Sequence, residues 1–197
     1  MVIAYHLVWT VYGTWLPNDP RGSGSKAVFD PNIAALGELH FGRRKIQPAS
    51  SAIREFYERA EPKLKYPVRR FEPGDFSNVA DAIGSAVAER SYTCYAAAIM
   101  PDHVHLVIRK HRDLAETMID ELQKLSRHRL RSDDHPVWTT GGWKRFLGFP
   151  EQIRRVIGYV ENNPAEIRLP RQSWAFVTPY DDWPFHKRPR TVNGSRC

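Results

Sequence analysis

Apolar positions recur along this chain with two different periods. From Val2 to Thr14 a run rich in β-branched and aromatic residues predicts a first strand, ended by Gly13 and Pro17. Between Ser77 and Arg90 the period becomes helical, with Val79, Ile83, Ala86 and Val87 on one face and Ser77 as the expected N-cap. Tyr92 to Met100 and His103 to Lys110 are again strand-like, and the tight Met100-Pro101-Asp102 turn makes them a hairpin. Asp113 to Arg131 returns to helical spacing through Leu114, Met118, Leu122 and Leu125, and Asp113 with Glu116 resembles a capping box. Trp138 to Phe149, interrupted by Gly141-Gly142, supplies a fourth, irregular strand. Pro150 opens a last helix with Ile153, Val156, Ile157 and Val160 on its buried side. That helix is expected to stop at Asn163, because Pro164 disfavours helical geometry in the residue before it.

The core order is therefore strand, helix, strand, strand, helix, strand, with one helix appended. This is the split βαβ, ferredoxin-like arrangement of the α+β class. Both long helices should cover one face of an antiparallel sheet, leaving the other face to the appended helix. Residues 18–75 do not fit that frame. They contain many turn residues and one short helix near Ser51 to Arg59, capped by Ser50 or Ser51, and six aromatics that call for burial: Phe29, Phe41, Phe56, Tyr57, Tyr66 and Phe71. They read as an ordered insertion after the first strand.

Charge changes the picture more than size does. The 197 residues carry 29 Lys and Arg against 22 Asp and Glu, a net charge of +7, which favours a polyanionic partner. The excess lies in clusters, among them Arg43-Arg44-Lys45, Arg69-Arg70, Arg127 to Arg131, Lys144-Arg145, Arg154-Arg155 and Lys187 to Arg190, each of which would alone be an ordinary solvated face. Arg127 and Arg131 could equally complement a helix dipole. With only Cys94 and Cys197, no disulfide framework is expected. With no leader and no long apolar run besides, the expectation is a soluble cytoplasmic protein without membrane contact.

Candidate chemistry centres on His103-Val104-His105. On a strand both imidazoles point to one side, ~6.6 Å apart along the chain, within reach of one metal ion. Val104, Leu106 and Ile108 face the other way as core. On the last helix Arg155, Tyr159 and Asn163 are spaced i, i+4, i+8 and share a stripe distinct from the buried one. Tyr159 could then face the metal and Asn163 lend an oxygen. Two imidazoles and an amide leave coordination positions open, which suits Mg2+ or Mn2+ arriving with a phosphate substrate better than a closed zinc site. Arg109, in phase with the histidines, is the cation expected nearest a phosphate. Trp9, Trp15 and Trp143 could stack unpaired bases or pack as core.

Met100-Pro101-Asp102-His103-Val104-His105-Leu106-Val107 followed by Tyr159-Val160-Glu161-Asn162-Asn163-Pro164-Ala165 resembles the single-tyrosine HUH transposases, in particular the REP-associated tyrosine transposases. Tyr5 to Thr10 and Asp181-Asp182-Trp183-Pro184 resemble them too. The resemblance implies a single ferredoxin-like domain over 1–197, with the insertion at 18–75 and a basic tail at 185–197 as additions. It implies cutting and rejoining of single-stranded, hairpin-forming DNA, with Tyr159 attacking a backbone phosphate to form a 5′-phosphotyrosine link. His103 and His105 would bind the divalent metal and Asn163 would match the third ligand, where some members carry the longer glutamine. Arg109, Arg127, Arg131, Arg155, Lys144 and Arg145 are the candidate DNA contacts. The family includes dimers that donate the tyrosine in trans and monomers. Two other classes of function stay open: a domesticated hairpin-binding protein that does not cut, and a phosphoesterase that acts through water.

Overall fold

Strand β1 (Ala4–Thr10) alternates Tyr5, Leu7 and Trp9 toward one side with Ala4, His6, Val8 and Thr10 toward the other, and this alternation organises the whole molecule. A computed structural model describes residues 1–131 and 134–185 of the chain. Most of the basic tail expected at 185–197, with Cys197, lies outside the described residues. After β1 come α1 (Pro31–Ala34), α2 (Ser50–Ala60) and α3 (Phe76–Glu89), then β2 (Cys94–Ile99), β3 (His103–Arg109), α4 (Ala115–Leu130), β4 (Trp143–Leu147) and α5 (Pro150–Glu166).

The four strands form one antiparallel sheet in the order β2-β3-β1-β4, the ferredoxin-like order of an α+β fold. Helices α3 and α4 pack together on one face, burying Val79, Ile83, Met118 and Leu122 against Leu7, Trp9, Leu106 and Ile108. α5 lies on the opposite face, where Ile153, Val156 and Val160 pack against Ala96, Ala98 and Val107. The small side chains of β2 let that helix approach closely. One edge of the sheet is covered: Gln172 exchanges two hydrogen bonds with the backbone of Ile99, 2.8 and 2.7 Å, and the Thr178 N–H donates to the Cys94 carbonyl at 2.8 Å.

The insertion makes a small core of its own from Leu16, Ile33, Leu36, Phe56 and Ala60. It is tied back to the end of β1 and the β2–β3 turn by backbone bonds from Arg69 to Tyr12, 3.0 Å, and from Phe71 to Pro101, 2.8 Å. Phe56 and Phe71 are buried as expected, but Phe29 and Phe41 are not, at 93% and 62% exposed. The short α1 and the turns beside it cannot enclose them.

Helix ends depart from expectation in a consistent way. The N-caps of α2, α3 and α4 are Ala49, Asp75 and Leu114, none with a side-chain capping bond, so Ser50, Ser51, Ser77 and Asp113 do not cap. Asp113 is drawn instead into a cluster with Arg90, 3.0 Å, and the Tyr92 hydroxyl, 2.8 Å. Leu114, at the cap, is exposed. α5 runs through Pro164 to Glu166 rather than stopping at Asn163. Proline in the last turn removes only one helical donor, and its ring is buried. Leu169 then closes the end by donating to the Pro164 carbonyl at 2.8 Å, with Arg168 at φ 62°.

The segment before β4 is positioned by α4. The Gln123 amide donates to the carbonyls of Thr139 and Gly141 at 2.9 and 2.8 Å, and the Trp138 indole donates to the Ser126 hydroxyl at 3.0 Å. Gly141 takes φ +78°, and at Gly142 a Cβ would stand 2.5 Å from the Val8 carbonyl oxygen, so β4 can approach β1 only through a glycine. Among the described residues no helix is long and apolar enough to cross a membrane.

Candidate active site

Strand pairing decides which side chains meet on the α5 face. Opposite β1, the register sets His103 against Thr10, His105 against Val8 and Val107 against His6. On the other side Trp143 pairs with Val8 and Arg145 with His6. Paired residues share a face, so His6, His103, His105, Trp143 and Arg145 all project toward α5.

Three imidazoles and a carboxylate form a chain across this face. Asp102 Oδ1 lies 2.6 Å from His103 Nδ1, His103 Nε2 lies 2.9 Å from His105 Nε2, and His105 Nδ1 lies 3.0 Å from His6 Nε2. The rings of His6 and His105 are stacked at 5.2 Å. Asp102 is held on the last turn of the hairpin, where its carbonyl accepts the Val11 N–H at 2.8 Å and faces the Thr14 hydroxyl at 3.0 Å. Burial works against its ionisation, but the His103 hydrogen bond and the charges of His103 and Arg70 bring its carboxyl below the usual value. Burial, then the charge of Arg145, lowers His6 to about 4. Burial, then the neighbouring rings of His103 and His6, holds His105 well below the ordinary histidine value. Both rings are therefore neutral near pH 7, as metal ligands must be.

The 2.9 Å separation of the two Nε2 atoms has two possible origins. One is a proton carried on His105 Nε2 and shared with His103. The other is a cation faced by both lone pairs, since nitrogens ~2.1 Å from one ion at right angles lie about 3 Å apart. The second requires His105 as its Nδ1–H tautomer donating to His6, and His103 as its Nδ1–H tautomer donating to Asp102. Each imidazole has the acceptor that tautomer needs, so the donor set fits a divalent ion. Because His6 engages the far nitrogen of His105, the three rings form a row rather than a cage. Accordingly, among the described residues no group of three His, Cys, Asp or Glu side chains could hold a metal. A third protein ligand would come from outside that set, an amide oxygen being one such group.

α5 supplies that amide and a tyrosine. Asn163 is buried, and its Nδ2 donates to the Tyr159 carbonyl at 3.0 Å, which turns that amide donor back onto the helix. Tyr159, half exposed, meets the imidazoles of His105 and His6 edge-on, with ring centroids at 5.7 and 6.0 Å. These residues border an open cavity of about 510 Å3 together with Asp102, Arg21, Arg43 and Arg145.

The expected DNA contacts divide sharply. Arg145 stands in the cavity wall. Lys144 borders the same cavity, but its ammonium is paired with Glu116 of α4. Arg109 shares the histidine face but is taken up elsewhere, 3.7 Å from Asp181 and 4.1 Å over the Trp183 ring. Arg127 and Arg131 line a separate surface cleft with Lys124 and His128, and Arg155 is exposed on α5 and is not among the residues lining the cavity. Trp9 is core.

His6 and Arg21 were not anticipated from the sequence, whereas Arg43 belongs to the basic cluster Arg43-Arg44-Lys45 of the insertion. His6 had a usable signal: in the ferredoxin-like order β1 adjoins β3, and His6 lies in the outward phase of Tyr5-His6-Leu7-Val8-Trp9-Thr10. Arg21 and Arg43 arrive through an irregular loop that no periodicity places.

No protein-family model and no curated protein matches the chain. Solved structures similar to it include the following two. One is a REP-associated tyrosine transposase bound to a REP hairpin, with 12% identity over 88% of this chain and 74% of the other and a TM-score of 0.47. The second is a candidate transposase from Deinococcus radiodurans R1, with 16% identity over 82% and 91% and a TM-score of 0.36. Both likenesses are distant, and neither assigns a residue.

Proposed function

We propose that the chain is a metal-dependent single-stranded DNA endonuclease and strand transferase of the REP-associated tyrosine transposase type, acting on hairpin DNA through Tyr159. The observation that carries this reading is the edge contact of Tyr159 with His105 beside the paired Nε2 atoms of His103 and His105, in an open cavity walled by arginines.

A Mg2+ or Mn2+ ion held by His103, His105 and the Asn163 amide would polarise a phosphate oxygen and stabilise charge on the departing oxygen. The chain's own groups do the rest. Arg145 and Arg43, which have no carboxylate partner among the described residues, attract the phosphodiester backbone. The Tyr159 oxygen attacks phosphorus and forms a new O–P bond to the 5′ side of the break, losing its proton to solvent. The bond from phosphorus to the 3′ oxygen breaks, and that oxygen takes a proton from solvent and leaves as a 3′-hydroxyl. The phosphodiester energy is kept in the tyrosyl link, so a second 3′-hydroxyl can reverse the step without a nucleotide cofactor. Asp102 and His6 do not touch substrate in this scheme; they hold the imidazoles in one tautomer.

The test is incubation of the protein with end-labelled hairpin DNA carrying single-stranded flanks, in Mn2+. Covalent, denaturant-stable protein–DNA adduct is expected from the wild type and none from Tyr159→Phe. Binding without adduct would identify a non-cleaving hairpin-binding protein. Cleavage that survives Tyr159→Phe would overturn the scheme in favour of a water-using phosphoesterase.

A further inference from the structure

The loop that follows β1 contains a more costly construction than its position requires. Asp19 is buried, with no exposed side-chain surface, and holds Arg21 through two bonds of 2.8 and 2.6 Å. The Tyr57 hydroxyl of α2 reaches the same carboxylate at 2.5 Å and the Thr14 carbonyl at 2.9 Å. Clamped in this way, the Arg21 guanidinium lies 3.7 Å from the ring centroid of Trp15. The indole is fixed at its other end by Nε1 donating to the Gly22 carbonyl at 3.0 Å. Gly22 itself has φ +91°, and a Cβ there would fall 1.9 Å from the Gly42 carbonyl oxygen, so the loop closes only on glycine. A buried carboxylate, a tyrosine and a glycine thus immobilise one tryptophan.

That tryptophan stands beside the candidate active site. Trp15, Trp143, Val8 and Thr10 border both the 510 Å3 cavity and a neighbouring one of about 190 Å3. Val8 and Thr10 are the strand partners of His105 and His103, so the aromatic pair lies one strand from the imidazoles. Trp143 is 38% exposed, too open to be core. Two indoles in a cavity also lined by Arg43 and Arg145 match the chemistry of an unpaired nucleotide: a flat π-face for the base and cations for its phosphate.

We infer that Trp15, backed by Arg21 and accompanied by Trp143, is the stacking platform for one unpaired base of the single-stranded flank next to the scissile phosphate, and that the insertion at 18–75 exists in part to hold it. This rests on the function proposed above. The immobilised guanidinium makes the indole a preorganised surface, so little side-chain entropy is lost when a base arrives.

The experiment is a coupling measurement on hairpin DNA whose single-stranded flank carries one abasic site, moved stepwise along it, with affinity read by fluorescence anisotropy. Wild type is expected to lose about 5- to 100-fold in affinity when the abasic site falls at one flank position. Trp15→Ala is expected to show a comparable loss on intact DNA and to be indifferent to the abasic site at that position, while Trp15→Phe keeps most of the wild-type affinity. Folding of Trp15→Ala is checked by its far-UV circular dichroism and its cooperative melting transition beside those of the wild type. If wild type forms the adduct but the two losses multiply at every position, the platform is refuted and the strand-transfer reading stands. If wild type binds none of these DNAs, both fall together.

Discussion

Replacing His6 by phenylalanine isolates what the row of imidazoles contributes. Phenylalanine keeps the flat ring that stacks on His105 at 5.2 Å but removes the partner that His105 Nδ1 has among the described residues, 3.0 Å away. Without that acceptor His105 is free to protonate Nε2, the nitrogen that must offer its lone pair, and the proton then points at His103. Loss of such an outer partner of a metal-bound histidine typically costs about 10- to 100-fold in metal affinity. The lower half of that range is expected here, because Asp102 still fixes His103 at 2.6 Å and only one of the two imidazoles is released. A tenfold loss corresponds to about 1.4 kcal/mol. Calorimetric titration with Mn2+, alongside the Mn2+ dependence of cleavage at saturating hairpin DNA, reads the effect. The half-saturating Mn2+ concentration should rise about 10- to 30-fold, with the rate at saturating metal changed little. An unchanged Mn2+ dependence in His6→Phe would refute the assignment of His6, and so would a loss as complete as that of His105→Ala.

Two further outcomes follow from charge and burial. Arg145→Ala should weaken hairpin binding and reduce the slope of log affinity against log salt by about one, whereas Lys144→Ala, whose ammonium is held by Glu116, should change that slope by clearly less; equal effects would contradict the division. Acid should destabilise the metal-free protein through His6: its folded value of about 4 lies below the ordinary 6.5, so between these pH values the unfolded chain binds a proton that the folded site refuses. Stability is unaffected above pH 6.5 and falls toward pH 4 by about 3 kcal/mol from this group. Denaturant melts in EDTA should show wild type losing stability relative to His6→Phe over that window, and parallel curves would overturn the burial argument.

What could be read from the chain and what could not divide along a physical line. Alternation within one strand is local, so the two faces of β3, with His103 and His105 together on one of them, and the helical stripe of Tyr159 and Asn163 follow from spacing alone. The fate of a cation is not local. Arg109 shares the face of His103, yet Asp181 and Trp183, more than seventy residues on, capture it. Lys144 and Arg145 are neighbours in sequence, but opposite strand faces send one to Glu116 and the other to the site. Asp113 is taken from its helix by Arg90 and Tyr92 for the same reason. His6 sits between the two cases, visible only once β1 is placed beside β3. The insertion is the least legible part, because its irregular loops give no period from which to place Trp15, Arg21 or Arg43.

In the proposed reaction the Tyr159 oxygen becomes covalently bonded to DNA. The most direct measurement is peptide mapping by mass spectrometry of the wild-type protein after reaction with hairpin DNA in Mn2+ and nuclease digestion. A nucleotide remnant joined through a phosphate to the tyrosine of the peptide containing Tyr159 is expected, with a free 3′-hydroxyl on the released strand. Attachment at any other residue, or strand breakage with no attachment at all, would contradict it.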